Sequence, residues 1–251
     1  TINEAELKRV AKFFTAMPYE ELNDQDATFN EAIKNNKAFA SWAKRSVHLH
    51  KQKGYRAITL SLKPHGLAPG DATSAQMRIV AELADLYSFG ELRVSHEQNL
   101  ILADVKLQDI FKVWEKAKAH QLATPNVGLL TDIICCPGGD FCSLANAKSI
   151  PIATSIQEAF DNLDYLHDIG ELELNISGCM NACGHHHIGH IGVLGVDKDG
   201  SEWYQVTIGG KQGNDASLGS VIGPSFAAEE MPGVIKKLID VYIKHRNPEE
   251  R

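Results

Sequence analysis

Two tight cysteine pairs constrain this chain more than any other feature of its sequence. Cys136 and Cys142 are separated by the five residues PGGDF, and Cys179 and Cys183 by the three residues MNA. If all four thiolates bind one group, the fold must bring two loops together that lie far apart in the sequence. Four thiolates are the ligand set of a tetrahedral zinc ion or of a four-iron cluster.

The spacing within each pair bears on which of these two groups is bound. Structural zinc sites usually use pairs separated by two residues, and both spacings here are wider and unequal. A cubane is a larger body and needs that reach, which favours an iron–sulfur cluster over zinc. Glycines at 138, 139, 178 and 184 would let backbone N–H groups approach the sulfurs. A zinc-binding structural module, a haem-free iron–sulfur electron-transfer protein and cysteines that bind nothing remain alternatives on spacing alone.

Other sulfur and imidazole groups stand beside these pairs. Cys135 precedes Cys136, and two adjacent residues cannot easily face one ion, so we predict that Cys135 is a small buried apolar residue. The run His185–His187 and the nearby His190 suggest a mixed cysteine and histidine site or a proton donor. Three consecutive histidines cannot all face the same way on a regular element. Polar loop residues near a cofactor are an equally good interpretation of them.

Composition and charge limit the class of protein. The chain has 251 residues, a net charge of −7 and five cysteines, an odd number that does not suit a small disulfide scaffold. It has no basic excess, so we expect neither a nucleic acid nor a membrane surface as partner. The start, TINEAELKRV, lacks the apolar core of a signal peptide, and we expect a cytoplasmic protein. The missing initiator methionine and the charged end KHRNPEER predict a segment of a longer chain, with trimmed termini as the alternative.

Hydrophobic periodicity divides the chain into three parts. Residues 1–47 form a helical N-terminal arm, with helices predicted over 3–16 and 28–43. Residues 48–122 have the order β-α-β-β-α: a strand from Tyr55, a helix capped by Thr73 or Ser74 with Met77 on its apolar face, two strands around the turn HEQ, and a helix over LQDIFKVWEKAKAH. This predicts an α+β fold, an antiparallel sheet with helices on one face.

The third part, 126–251, follows the linker ATPNVG. It contains a cysteine loop at 132–147 and a helix from Thr154 with Ile156, Phe160 and Leu163 inward. A strand over 171–176 leads to the second cysteine loop. HIGVLGV and WYQVTIGG read as strands, a glycine-rich connection spans 209–223, and a helix over 227–245 closes the chain. GGKQGN at 209–214 could cradle an anion, although such a loop is more often a turn.

Two segments resemble a known family. IICCPGGDFCSLANAKSI followed by ISGCMNACGHHHIGHIGVLG is similar to the cluster motif of the sirohaem-dependent nitrite and sulfite reductases, C-x5-C followed by G-C-x-N-x-C-G. Asn181, Gly178 and Gly184 match this motif together with the four cysteines. GELRVSHEQNLILADV is similar to a segment of the family's ferredoxin-like repeat, where a Gln-Asn turn lies near the macrocycle. The resemblance covers residues 50–246.

The resemblance implies a fold, cofactors and an activity. A ferredoxin-like half-domain would be followed by an α/β domain that binds a [4Fe–4S] cluster and a sirohaem, and the protein would reduce sulfite to sulfide or nitrite to ammonia with six electrons. The implied cluster ligands are Cys136, Cys142, Cys179 and Cys183, and Cys183 would also ligate the sirohaem iron. The implied cofactor contacts are Gln98, Asn99, Asn181 and Arg93.

The family pattern also has two repeats, whereas this chain has one. It therefore resembles the C-terminal half of a haemoprotein subunit, similar to the sulfite reductase beta subunit. The N-terminal half of the same chain would supply much of the cage around the small oxyanion substrate, and the isolated part would be inactive. Short sulfite reductases of about this length that are complete chains are the alternative. A flavoprotein reductase subunit or a ferredoxin would donate the electrons.

Overall fold

Two β-sheets organise the chain in the computed structural model, which describes residues 2–14 and 16–247. The α-helices of this part are α1 Glu4–Ala11, α2 Ala27–Asn35, α3 Lys37–Ser46, α4 Ser74–Tyr87, α5 Ile110–Ala119, α6 Ile150–Ala159, α7 Leu163–Ile169 and α8 Met231–His245. The strands are β1 Val47–Leu49, β2 Tyr55–Leu60, β3 Leu92–Val94, β4 Leu100–Lys106, β5 Ile134–Cys135, β6 Leu174–Ser177, β7 Ile191–Lys198, β8 Ser201–Ile208 and β9 Ser220–Phe226.

The first sheet is antiparallel and has the strand order β1-β2-β4-β3. Ile58 pairs with Leu102 and Leu60 with Leu100, so these side chains leave the same face of the sheet and pack against the helices. The helix α4 begins at a capping box in which Thr73 and Gln76 each satisfy the other's backbone N–H. The predicted α+β fold, with helices on one face of a ferredoxin-like antiparallel sheet, is confirmed.

The N-terminal helices divide into two kinds. The helix α1 buries none of its residues. In contrast, Phe39 and Trp42 of α3 are fully buried in the same core as the first sheet. The helix α2 buries no residue fully, but its Phe29, Ala32 and Ile33 pack against that core, so α2 and α3 both pack with the half-domain.

The second sheet is mixed and has the order β5-β6-β7-β8-β9. Its first three strands are parallel, and its last three are antiparallel. The helices α6 and α8 pack together over a core that includes Ile156, Ile176 and Ile235. Because β5 and β6 are parallel, their carboxyl ends meet at one edge of the sheet, and the two cysteine loops start there.

Several predicted elements differ from the structure. The helix expected over 28–43 is two helices, because Asn36 takes an extended conformation and its side chain caps α3. The helix expected from Thr154 begins at Ile150, and Leu163 opens the next helix with more than a third of its surface exposed. The glycine-rich connection over 209–223 runs into β9, which the sequence analysis missed, as it missed β1.

Two further differences concern α1 and α4. The predicted first helix, 3–16, is shorter in the structure, and residue 15 lies outside the described residues. Met77 was expected on the apolar face of α4 but is 62% exposed, whereas Val80 and Leu83 are buried. Within residues 2–14 and 16–247, we find no helix with the length and apolar character that a membrane span requires.

Candidate metal centre

The two cysteine loops meet where β5 and β6 end. The backbone N–H of Cys136 donates to the carbonyl of Ile176 at 3.1 Å, which extends the strand pairing by one residue. One step further along, the backbone N–H of Gly178 donates to Sγ of Cys136 at 3.1 Å. A backbone N–H directed at a sulfur stabilises a thiolate and tunes the potential of an iron–sulfur cluster.

Glycine at position 178 makes this contact possible. The carbonyl of Gly178 accepts N–H groups from Asn146 at 2.8 Å and Ala147 at 3.0 Å, so the second loop lies against the end of the first. A Cβ at position 178 would stand 2.6 Å from the carbonyl oxygen of Ala147 and 2.9 Å from Cα of Gly138. Any side chain there would separate the loops.

The four predicted ligands differ in exposure. Cys136 and Cys179 are buried, Cys142 is intermediate and Cys183 is exposed. Cys142 follows a tight turn and its N–H donates to the carbonyl of Gly138 at 2.9 Å. Two of the four thiols therefore lie inside the protein, one is partly exposed and one is at the surface.

The arrangement bears on the kind of metal group. Among the described residues, no three His, Cys, Asp or Glu side chains lie close enough together to hold a single metal ion. Two joined loops carry the four cysteines, and a backbone N–H is directed at one of the sulfurs, as at sites where a thiolate binds a metal group.

The remaining cysteine is not exposed to solvent. Cys135 is buried, and its thiol contacts the carbonyl of Cys136 at 3.2 Å. Burial, and then the neighbouring thiol of Cys136, raise the pKa of Cys135 far above its ordinary value. The prediction that Cys135 is a small buried residue is confirmed.

The histidines lie on the loop behind the second cysteine pair. His186 is 1% exposed, and neither of its ring nitrogens has a hydrogen-bond partner among the described residues. Burial, with a smaller contribution from His187, lowers the pKa of His186 from 6.5 to about 4. Nδ1 of His190 accepts the backbone N–H of Glu173 at 3.0 Å. His186 is thus a neutral interior residue, and His190 holds the start of β6.

Gln98 and Asn99 lie on the turn between β3 and β4, where the first sheet touches the second. The amide of Gln98 bonds to the backbone of Cys135, and that of Asn99 donates to Asp132 at 3.0 Å and accepts the N–H of Leu62 at 3.1 Å. Contact of either residue with a macrocycle stays a prediction. In the structure, both amides join the two sheets.

Arg93 and Asn181 are at the surface. The guanidinium of Arg93 pairs with Glu91 at 2.5 Å, and this hydrogen bond raises the pKa of Arg93. Arg93 also lines a cavity of about 530 Å³ together with His50 and Lys51. Asn181 is exposed in the turn between Cys179 and Cys183. Contact of Arg93 and Asn181 with a cofactor stays a prediction.

Two polar clusters were missed by the sequence analysis. Near the same cavity, the hydroxyl of Tyr19 donates to Asp104 at 2.6 Å, which raises the pKa of Tyr19 to about 12, and His50 lies 3.2 Å from the same carboxylate. At the junction of the sheets, Lys63 and Asp132 form a buried ion pair at 2.6 Å. Each cluster joins residues that are distant in the sequence. The only signal in the sequence was the position of Lys63 directly after the strand segment ITLSL.

Comparison with known proteins supports the same assignment. A family model described as the nitrite/sulfite reductase ferredoxin-like half domain matches residues 48–120, and one described as the nitrite and sulphite reductase 4Fe-4S domain matches residues 128–251. A ferredoxin-like half-domain joined to a four-cysteine domain defines a class of iron–sulfur redox proteins. The chain belongs to the nitrite and sulfite reductase family. The [4Fe–4S] cluster and sirohaem implied by the resemblance are the cofactors of that family.

Individual relatives cover different shares of the chain. The assimilatory ferredoxin-dependent nitrite reductase of Haloferax mediterranei is 31% identical over 188 residues, which are 72% of this chain and 32% of that protein. The assimilatory-type sulfite reductase of Nitratidesulfovibrio vulgaris is 23% identical over 71% of this chain and 77% of that protein. This chain thus spans about a third of the first relative and most of the second.

The fold is also found among solved structures. The structure of the Mycobacterium tuberculosis NirA protein matches 82% of this chain and 38% of its own length, with a TM-score of 0.66 and 23% identity. At this level of identity, the match shows the shared fold.

Proposed function

We propose that this chain carries the cluster-binding part of an oxidoreductase that reduces nitrite to ammonia or sulfite to sulfide with six electrons. The observation that carries the proposal is the junction of the cysteine loops, where the N–H of Gly178 donates to Sγ of Cys136. A pair of loops joined only by packing would not need a backbone donor aimed at a sulfur.

The cluster ligands in this proposal are Cys136, Cys142, Cys179 and Cys183. Cys183 would be shared between the cluster and the sirohaem iron, and its exposed position suits a residue that must reach a second cofactor. When bound, the two cofactors would supply the electrons for the reduction of nitrite or sulfite. The protein's part is to hold the thiolates apart at the sheet edge and to keep water from Cys136 and Cys179.

Further contacts to the macrocycle are proposed for exposed polar groups. Arg93 would pair with one of its carboxylates, because a guanidinium binds a carboxylate with charge-assisted hydrogen bonds. Asn181 would contact the macrocycle from the turn between Cys179 and Cys183. The side-chain amides of Gln98 and Asn99 bond to other groups of the protein. The turn that carries these two residues would therefore lie beside the macrocycle.

The partners follow from the relatives. We propose that ferredoxin donates the electrons, because ferredoxin-dependent nitrite reductases are among the relatives, with a flavoprotein subunit as the alternative donor. We also propose that an N-terminal half of the same chain completes the substrate cage, so that the 251 residues alone are inactive. A reducing, cytoplasmic compartment suits thiolate ligands.

Metal analysis tests the proposal directly. We expect the chain, prepared without oxygen and reconstituted with iron and sulfide, to be brown and to contain about four irons. Replacement of any one of the four ligands by serine should reduce the iron content sharply, whereas Cys135→Ser should not. One zinc per chain, or equal iron in all five variants, would contradict the proposal.

A further inference from the structure

We infer that Gln98 is a positioning residue for the cluster ligand Cys136, acting from the ferredoxin-like half-domain across the junction of the two sheets. The inference rests on the proposed cluster site. Nothing in the sequence motif requires it, because Gln98 and Cys136 belong to different sheets. It assigns to the half-domain a share in setting the geometry of the metal centre.

The contact is a paired hydrogen bond to backbone. Nε2 of Gln98 donates to the carbonyl of Cys135 at 2.8 Å, and the N–H of Cys135 donates to Oε1 of Gln98 at 2.8 Å. The strand β5 is the edge of its sheet, and an edge strand presents unpaired N–H and C=O groups. The side-chain amide of Gln98 satisfies both groups of Cys135, as a neighbouring strand would.

The consequence for Cys136 follows from the geometry of one peptide group. The carbonyl of Cys135 and the N–H of Cys136 belong to the same planar peptide unit. Gln98 holds the carbonyl end at 2.8 Å, and Ile176 accepts the N–H end at 3.1 Å. Because both ends are held, the plane of this peptide and the position of Cα of Cys136 are held as well. The N–H of Gly178, which donates to Sγ of Cys136 at 3.1 Å, then orients the side chain from that fixed Cα.

The turn around Gln98 is held from several sides. Gln98 has a φ of +59°, a conformation that costs free energy for a residue other than glycine and persists only where the surroundings impose it. Its N–H donates to the carbonyl of Ser95 at 3.1 Å. Gly70 lies so close that a Cβ there would stand 3.1 Å from Cβ of Gln98.

The residues on either side of Gln98 are anchored too. Lys63 donates to the carbonyl of Glu97 and pairs with Asp132, and Asp132 accepts the amide of Asn99 at 3.0 Å. The N–H of Gly128 donates to the second oxygen of Asp132 at 2.9 Å. This clasp between the sheets, made by Lys63, Glu97, Gln98, Asn99 and Asp132, gives the amide of Gln98 a fixed base from which to hold Cys135.

The variant Gln98→Asn separates positioning from folding. Asparagine adopts positive φ more readily than glutamine, so the turn is kept, but its amide is one methylene short of Cys135. In the reconstituted chain, we expect a shifted midpoint potential, an altered electron paramagnetic resonance spectrum and retention of iron against a chelator weakened by about 10- to 100-fold. Gln98→Met, which keeps the length and removes the hydrogen bonds, should do the same.

Gln76→Asn is the matched control. Gln76 is also buried in the half-domain, and its amide donates to the carbonyl of His120 at 2.9 Å, away from the cysteine loops. The variant Gln76→Asn should lower the free energy of unfolding without changing the midpoint potential or the electron paramagnetic resonance spectrum. Wild-type potential, spectrum and iron retention in Gln98→Asn, or equal changes in Gln98→Asn and Gln76→Asn, would overturn the inference.

The test also distinguishes failure of the metal site from failure of the inference. A wild-type chain that takes up no iron contradicts the proposed function alone. Hydrogen exchange of the Cys135 N–H in the metal-free chain then decides the inference: faster exchange in Gln98→Asn than in Gln76→Asn supports it, and equal exchange overturns it.

Discussion

At the candidate metal centre, Gly178 matters because it has no side chain. The backbone of Gly178 contacts both the first cysteine loop and a sulfur, and there is no room for a methyl group between them. The motif indicated that glycine is needed here. The structure supplies the reason, which is contact with the carbonyl of Ala147.

Gly178→Ala should therefore destabilise the chain by about 1–3 kcal/mol, because the added methyl group forces the loops apart. The free energy of unfolding in urea measures this. Gly233→Ala is the control, since Gly233 lies in α8 with open space around its Cα. Alanine should stabilise that helix by about 0.5 kcal/mol. Equal stability of the two variants would contradict the packing argument.

His186 should make stability depend on pH. Its pKa falls from 6.5 to about 4 on folding, so between these values the unfolded chain binds the proton more readily. Above about pH 6.5, the lowered pKa of His186 contributes about 1–3 kcal/mol to the free energy of unfolding. This contribution is lost as the pH falls toward 4. Urea unfolding at pH 7 and pH 5 measures it. An unchanged pH dependence in His186→Leu would show that another group is responsible.

Among the elements, those with strong local signals were predicted and those that depend on a neighbour were not. The segment YRAITLSL alternates between apolar and polar residues, and the two strands around the turn HEQ are short segments rich in Leu, Ile and Val. In contrast, β9 contains Gly223 at positive φ and Pro224, and it pairs only with β8 as an edge strand. Nothing in its own sequence indicates that pairing.

The start of α4 gives a test at this scale. The sequence left Thr73 and Ser74 as alternative caps, and in the structure Oγ1 of Thr73 accepts the N–H of Gln76 at 3.2 Å. Thr73→Ala should cost about 1 kcal/mol in urea unfolding, whereas Ser74→Ala should cost almost nothing. A larger loss in Ser74→Ala would reassign the cap.

For the whole molecule, the sequence predicted the two sheets and their order but not how they are joined. The four cysteines were predicted as ligands because ligands of one group follow a recognisable spacing, and the structure brings their two loops together. The contacts of Lys63 and Asn99 with Asp132 were not predicted, because these residues lie on separate segments and meet only when both sheets have formed. The core of the half-domain likewise includes residues of α3, which precede the boundary at residue 48 that hydrophobic periodicity predicted.

Truncation tests that last point. Removal of residues 1–14 takes away α1, which buries no residue, and should leave the melting temperature nearly unchanged. Removal of residues 1–46 also takes away the buried Phe39 and Trp42, each worth about 1.5–3 kcal/mol of apolar burial. We expect that shorter chain to melt at a much lower temperature or to aggregate. Equal melting temperatures would place α3 outside the core.

The paired hydrogen bond of Gln98 has a consequence for sequence divergence. It recognises the peptide groups of residue 135 and not its thiol, so any small apolar side chain can replace Cys135 without loss of the contact. Position 98 has no such freedom, because only a side-chain amide of that length offers a donor and an acceptor together. Among relatives that keep Lys63, Asn99 and Asp132, we expect residue 135 to vary while Gln98 is retained.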